Sequence, residues 1–307
     1  KKEIEISPKT GFIDALYTAL EQADFVHNHR LTVRSMLGMI KTAAVAIGVH
    51  NFEIGKITIK EVMVTLNRAC MDKSPKTFNR YRKDLSSLFK ILVPLVGIAN
   101  PVRDIPKKST VTEIRETLTR KERRRVDRHL KGKGLNSFRL FNRIMFTSGA
   151  RIEEILRVKA ADVNLAEQWF LVVIKKGKHQ RQVRKTIGNT ARLYWWYALR
   201  NCLPDEYIFS HGLLPGKFKL PAGQITDRWK RHVMAPGWFQ GGGGLGITAN
   251  YYPAHKHSAA TEISDNYGQG QAAEHMSHTT QAMVKHIYDV GGEMRKHEEA
   301  KKRKVIF

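Results

Sequence analysis

Along the first hundred residues the apolar positions recur at intervals of three and four. Phe12, Ile13, Ala15 and Leu16 open the series, and the stretches Leu31 to Ile47 and Val62 to Leu66 continue it. That period lays an apolar stripe along one side of a helix, so helices are predicted across residues 11 to 98, with no strand alternation among them. Between Lys76 and Phe89 the aromatics and leucines keep helical spacing while Lys76, Arg80 and Lys83 share another face. One side of that helix fits a core and the other fits phosphates.

The pattern breaks at Asn100-Pro101 and again at Ile105-Pro106-Lys107-Lys108, where two prolines and basic residues predict an interdomain linker. Thr119, followed three residues later by Glu122, predicts the capped start of a new helix. Leu140 to Leu156 reads as helical and mostly buried. Trp169 to Ile174, a Lys/Gly turn, then Arg181 to Ile187 read as a β-hairpin, with helices returning from about residue 189. Pro236 to Gly246 is expected to be a loop. Gly241, Gly243 and Gly246 satisfy a G-x-G-x-x-G pattern, but no strand precedes them and no P-loop Lys-Ser/Thr follows, so no dinucleotide site is expected. These breaks divide the chain into a helical domain over residues 1 to 105, a linker over 106 to 118, a second domain over 119 to 290 and a charged tail over 291 to 307.

Charge sharpens this picture. The 307 residues hold 53 Lys plus Arg against 28 Asp plus Glu, a formal charge of +25. Residues 1 to 105 carry 16 basic and 10 acidic side chains, leaving 37 basic and 18 acidic for the rest. A surplus this large points to a polyanion partner, nucleic acid first, held chiefly by the second domain. Only Cys70 and Cys202 are present, which excludes a disulfide framework and a Cys-rich zinc module and fits a reducing compartment. No apolar run reaches the roughly 20 residues that span a bilayer. The expectation is a soluble protein of the cytoplasm with no membrane partner.

Several short segments carry chemistry. Ser148-Gly149-Ala150-Arg151-Ile152-Glu153-Glu154-Ile155-Leu156 sets a glycine turn ahead of a helix, and puts Arg151 where a guanidinium and a helix start both address an anion. The hairpin turn holds Lys175, Lys176, Lys178 and Arg181. Downstream lie Pro253-Ala254-His255-Lys256-His257-Ser258, Glu274-His275-Met276-Ser277-His278, and Ile287-Tyr288-Asp289. The H-x-H pair His255 and His257 and the H-x-x-H pair His275 and His278 also admit a zinc reading. No carboxylate or cysteine completes a known spacing, so no metal is expected.

Taken in order, these segments resemble the active-site boxes of the tyrosine recombinases, the lambda-integrase-like enzymes. The resemblance covers roughly residues 10 to 290. It implies a mainly α, two-domain chain: an N-terminal helical core-binding bundle of SAM-like type, and a C-terminal α+β catalytic domain with a small antiparallel sheet. It implies that Arg151 holds the scissile phosphate, that Lys176 protonates the leaving 5′ oxygen, that His278 bonds a non-bridging oxygen, and that Tyr288 is the nucleophile. Lys256 stands where the family has its second arginine, and Pro253 where the family has a histidine. Lysine keeps the charge but loses the planar two-pronged fork. His255, two residues on, is a candidate replacement for the missing histidine.

The implied reaction cuts and rejoins DNA through a 3′-phosphotyrosyl link and needs no cofactor. Its partners are a specific double-stranded DNA site and further copies of the chain, as a tetramer on two duplexes. Lys76, Arg80, Lys83, Lys175, Lys178 and Arg181 are the DNA-contact candidates. A nucleoid-associated place in a bacterial or phage-infected cell follows. The tail ending Val305-Ile306-Phe307 is a candidate for docking on a neighbouring protomer. No arm-binding domain fits ahead of residue 10, although a start without methionine leaves room for one to have been trimmed. Two other readings stay open: a telomere resolvase or type IB topoisomerase-like enzyme using the same chemistry, and a DNA-binding protein that has lost catalysis through the changes at Pro253 and Lys256.

Overall fold

Four helices build the N-terminal unit: α1 (Phe12–Gln22), α2 (His27–Ala46), α3 (Ile59–Ala69) and α4 (Pro75–Val96). The computed structural model describes residues 6–111, 116–176, 179–237 and 243–276, and the chain divides into two compact units, Lys1–Thr112 and Glu113–Phe307. The helices begin where the sequence supplies caps. Thr58 and Glu61 form a capping box ahead of α3, and the Ser74 hydroxyl accepts the Thr77 amide ahead of Pro75 in α4. Phe12, Leu16, Leu37, Ile40, Leu66, Leu88 and Phe89 meet in one buried cluster. On α4, Lys76, Arg80 and Lys83 are exposed while Phe78, Tyr81 and Leu85 are buried.

The stretch after α4 belongs to this unit. Val102 and Ile105 are buried in its core. Arg82 donates to the Arg103 carbonyl at 3.0 Å and also to that of Ile105. Asn79 exchanges two hydrogen bonds with the Lys108 backbone, at 2.8 and 2.9 Å. The segment expected to open the linker, residues 106 to 108, is thus fastened to α4.

The second unit starts with α5 (Arg120–Gly132), capped by Thr119: its hydroxyl accepts the Glu122 amide at 3.2 Å while its own amide donates to the Glu122 carboxylate at 2.8 Å. Next come α6 (Asn136–Ser148) and the short α7 (Ile152–Ile155). The expected helical stretch from Leu140 to Leu156 is interrupted at the glycine turn read ahead of Arg151: Gly149 sits at φ 58°, a left-handed conformation that favours glycine. A side chain there has no room, since a Cβ would lie 2.6 Å from Cδ2 of His275.

Three antiparallel strands follow in the order β1-β2-β3: β1 (Val163–Asn164), β2 (Trp169–Lys176) and β3 (His179–Thr186). In their register Phe170 faces Lys185 and Lys176 faces His179. Then come α8 (Asn189–Leu199) and α9 (Ala222–Trp229), which runs into a π-helical turn at Lys230–Met234. A second π-helical turn, Pro253–His257, leads into α10 (Ser258–His275). Phe138, Phe141, Phe170, Trp195, Phe209 and Trp229 fill the core between helices and sheet. The result is the expected mainly helical chain with one small antiparallel sheet. Among the described residues no helix is long and apolar enough to cross a membrane.

Candidate active site

The turn that ends α6 places Arg151 at the cap of α7. Its amide donates to Oε2 of Glu154 at 2.8 Å, and its Nη1 donates to Oε1 of the same carboxylate at 2.7 Å. Glu154 is buried, whereas the Arg151 side chain keeps 41% of its surface exposed. The carboxylate therefore grips the guanidinium from beneath, and the outer face meets solvent, where an anion can approach. Burial alone would raise the Glu154 carboxyl. The hydrogen bonds from the Arg151 amide and guanidinium and the nearby Lys256 charge outweigh it and hold the group below its ordinary value.

Lys256 comes to this carboxylate from the π-helical turn and is only 1% exposed. Burial first, then the like charge of Arg151, outweigh the pull of Glu154 and bring its pKa down to about 7, with Lys185 adding to the effect. Lys185 comes from the inward face of β3, 5% exposed. Burial lowers it to about 8, the Glu154 charge opposes that, and Arg151 adds to it. One buried carboxylate thus sits among three cations drawn from three separate elements.

His275 closes the other side. Its ring packs on Gly149 and forms a hydrogen bond with the backbone of Thr147. Its carbonyl accepts a 2.8 Å hydrogen bond from Nζ of Lys185. Burial lowers its imidazole to about 4, with Lys185 and Lys256 adding to the effect, so the ring is neutral at physiological pH. The last residue of α10 is thereby stitched to the Thr147–Arg151 turn and to β3.

Of the residues singled out from sequence, the structure brings Arg151 and Lys256 together. His278 and Tyr288 lie outside the described residues, as do the loop core at 238–242 and the C-terminal tail. Lys176 is the last residue of β2, paired with His179 next to the hairpin turn. The side chains of Lys175 and Lys176, and Lys178 altogether, also fall outside what is described, while Arg181 is exposed on β3.

His255 sits elsewhere. Its ring stacks on Tyr251 at 4.2 Å between centroids and meets Trp229 edge-on at 5.0 Å, and Nδ1 pairs with the Tyr251 carbonyl at 2.9 Å. Burial lowers its pKa to about 4. It lines a cavity of about 650 Å³ beside α5 and α6, together with Arg123, Asp127 and Arg143, and none of Arg151, Lys185 or Lys256 lines that cavity. Asp127 there accepts Arg139 and Arg143, each through two bonds of 2.7 to 2.9 Å. In place of the proposed catalytic substitute, the structure has a packed aromatic-core histidine.

The sequence gives Lys185 and Glu154 no role and names His275 only as half of an H-x-x-H pair. A signal for Lys185 was present: in β3 the alternation that turns Val183 and Ile187 inward turns Lys185 inward too. A lysine on the core side of a strand is costly without a partner.

No family model matches the chain, and no curated protein matches it in sequence. Solved structures do match in shape. Lambda integrase, as a dimer bound to a COC′ core site, superposes with a TM-score of 0.70 at 16% identity, over 97% of this chain and 80% of that one. The same integrase as a tetramer bound to a Holliday junction gives 0.70 at 15% identity, over 92% and 79%. The Tn1549 transposon integrase in complex with a circular intermediate DNA gives 0.68 at 13% identity, over 96% and 100%. From the N-terminal helices to the three-stranded sheet and α10, this chain has the fold of the tyrosine recombinases, the group to which lambda integrase and the Tn1549 integrase belong.

Proposed function

We propose that this chain is a site-specific DNA recombinase that cleaves and rejoins DNA through a 3′-phosphotyrosyl intermediate. The observation that carries the reading is the junction of Arg151, Lys256 and Lys185 around Glu154, in a fold shared with DNA-bound integrases. Among the described residues, three basic side chains gather around one carboxylate, with both lysines buried, so the site is net positive. A phosphodiester carries one negative charge and its pentavalent transition state two, so the site favours the transition state over the ground state.

In this reading the Tyr288 oxygen attacks phosphorus as its proton passes to solvent, the P–O5′ bond breaks, and the 5′ oxygen departs with a proton from Lys176. Arg151 and Lys256 hold the non-bridging oxygens with His278. The phosphotyrosyl link stores the bond energy, and a 5′ hydroxyl from a partner duplex reverses the step to exchange strands. The surplus charge of the second domain and the exposed Lys76, Arg80, Lys83 and Arg181 supply backbone contacts to double-stranded DNA. The two-domain division into core-binding and catalytic parts, and assembly as a tetramer on two sites, belong to the same proposal.

The test is a nicked suicide duplex bearing the chain's own site, analysed on denaturing gels. Wild type is expected to give a covalent protein–DNA adduct and Tyr288→Phe none. Absence of an adduct from wild type, or its persistence in Tyr288→Phe, overturns the reading.

A further inference from the structure

Lys185 is a buried basic group that takes no bond-making or bond-breaking step in the reaction sketched above. Its position in β3, opposite the fully buried Phe170, suits an apolar residue. Instead, its Nζ reaches the carbonyl of His275, ninety residues on, and the His275 ring rests on Gly149 and the Thr147 backbone. The same ammonium stands within electrostatic reach of Arg151, Glu154 and Lys256. Lysine at position 256 offers a point charge in place of a planar fork, and a second ammonium within electrostatic reach supplies another donor toward the same site.

We propose that Lys185 is a positioning residue of the phosphate site: it ties His275 to the turn that presents Arg151 and forms with Lys256 a lysine pair that gains a proton when a DNA phosphate arrives. The inference rests on the recombinase reading for the identity of that phosphate. The groups facing the pair are Arg151 and Glu154 from the α6–α7 turn and His275 from the end of α10. Among the described residues Glu154 supplies the negative charge facing the pair, which holds its protons weakly, near pH 7 to 8. An arriving phosphate adds negative charge and strengthens that hold. Arg151 stays charged throughout, and His275 stays neutral above pH 5, so the lysines carry the change.

The experiment uses the full chain as Tyr288→Phe, bound to an intact duplex carrying its site. Calorimetry at pH 8 in two buffers of different ionisation enthalpy reads protons taken up on binding. Uptake is expected in this parent, with a fall of about a third when Lys185→Met is added; Lys185→Arg, which never gives up its proton, is expected to restore cleavage in part but not uptake. In the Tyr288 background, Lys185→Met is expected to slow single-turnover cleavage tenfold or more, with thermal stability kept or raised, because an unbranched apolar chain fills the same space. Equal proton uptake and equal cleavage with and without Lys185→Met overturn the proposal. Failure of wild type to form any adduct sinks the recombinase reading instead, while the calorimetric arm still decides the lysine pair.

Discussion

Glu154 binds Arg151 twice, once through the backbone amide and once through the guanidinium, at 2.8 and 2.7 Å. The carboxylate orients the arginine and also supplies the negative charge beside Lys256 and Lys185. Glu154→Gln keeps the shape and removes that charge. Removing the carboxylate charge leaves the buried Lys256 and Lys185 less balanced, so the variant is expected to unfold at lower temperature. Cleavage of the suicide duplex is expected to fall well over tenfold. Calorimetry and a denaturing gel check both, and an unchanged melting temperature would sink the claim that Glu154 balances the cluster.

Gly149 is held by conformation and by space together. Gly149→Ala puts a Cβ at φ 58° and 2.6 Å from the His275 ring. The expected cost exceeds ~1 kcal/mol, from strain alone. Displacement of His275 should also raise hydrogen exchange at residues 272 to 276. A variant as stable as wild type with unaltered exchange would show that the turn has more room than it presents.

The buried lysines predict an unusual pH dependence of stability. The folded pKa of Lys256, about 7, lies below its ordinary value of 10.5. Between those limits the unfolded chain binds a proton that the folded chain lacks, so this group's contribution rises with pH from about 7 toward 10. At or below pH 7 the buried charge carries its full penalty. Lys256→Met should therefore melt higher than wild type at pH 7, with the gap shrinking steadily toward pH 10. Melting curves across that range settle it, and a constant gap would mean that Lys256 stays charged throughout.

His255 and His275 act at the acid end. Both have folded values near 4 against an ordinary 6.5, chiefly from burial. The unfolded chain protonates first, so stability present above pH 6.5 is lost as pH falls toward 4. His255→Phe keeps an aromatic ring between Tyr251 and Trp229, and it should flatten that acid slope while leaving suicide-substrate cleavage within a few-fold of wild type. Loss of cleavage in a folded His255→Phe protein would return His255 to the chemistry.

The basic face of α4 gives a salt-dependent signature. Replacing Lys76, Arg80 and Lys83 with alanine should weaken binding to any duplex, specific or not. The slope of log affinity against log salt should shrink by about 0.9 for each phosphate that the variant no longer neutralises. Titrations at several salt concentrations measure this directly, and an unchanged slope would remove α4 from the DNA-binding surface.

Much of the fold was legible because it rests on local rules. Thr119 and Glu122 announced α5, and the alternation from Trp169 to Ile187 gave the hairpin. What escaped depends on distant neighbours. Gly149 read as a turn ahead of a helix, but that His275, far along the chain, leaves no room for a side chain there depends on the tertiary fold. Glu154 looked like an ordinary acidic residue of a first turn, and its burial beside two lysines comes only from the meeting of α7, β3 and the π-helical turn. His255, two residues after the proline that replaces the family histidine, is by sequence a candidate to stand in for it, and its ring packs in the aromatic core with Tyr251 and Trp229.

The π-helical turn at Pro253–His257 gives this segment an insertion-deletion sensitivity that no single substitution reveals. A π-turn holds one residue more than an α-turn covering the same path, and each α-helical residue advances about 100° around the axis. Deleting one residue from the turn would restore ordinary pitch into the start of α10. It would also swing Lys256 by roughly a quarter-turn relative to α10, parting it from Glu154 while His275 kept its seat on Gly149. The surplus residue thus works as a phase setter, fixing the angle at which one end of the α10 region meets the phosphate site independently of the other.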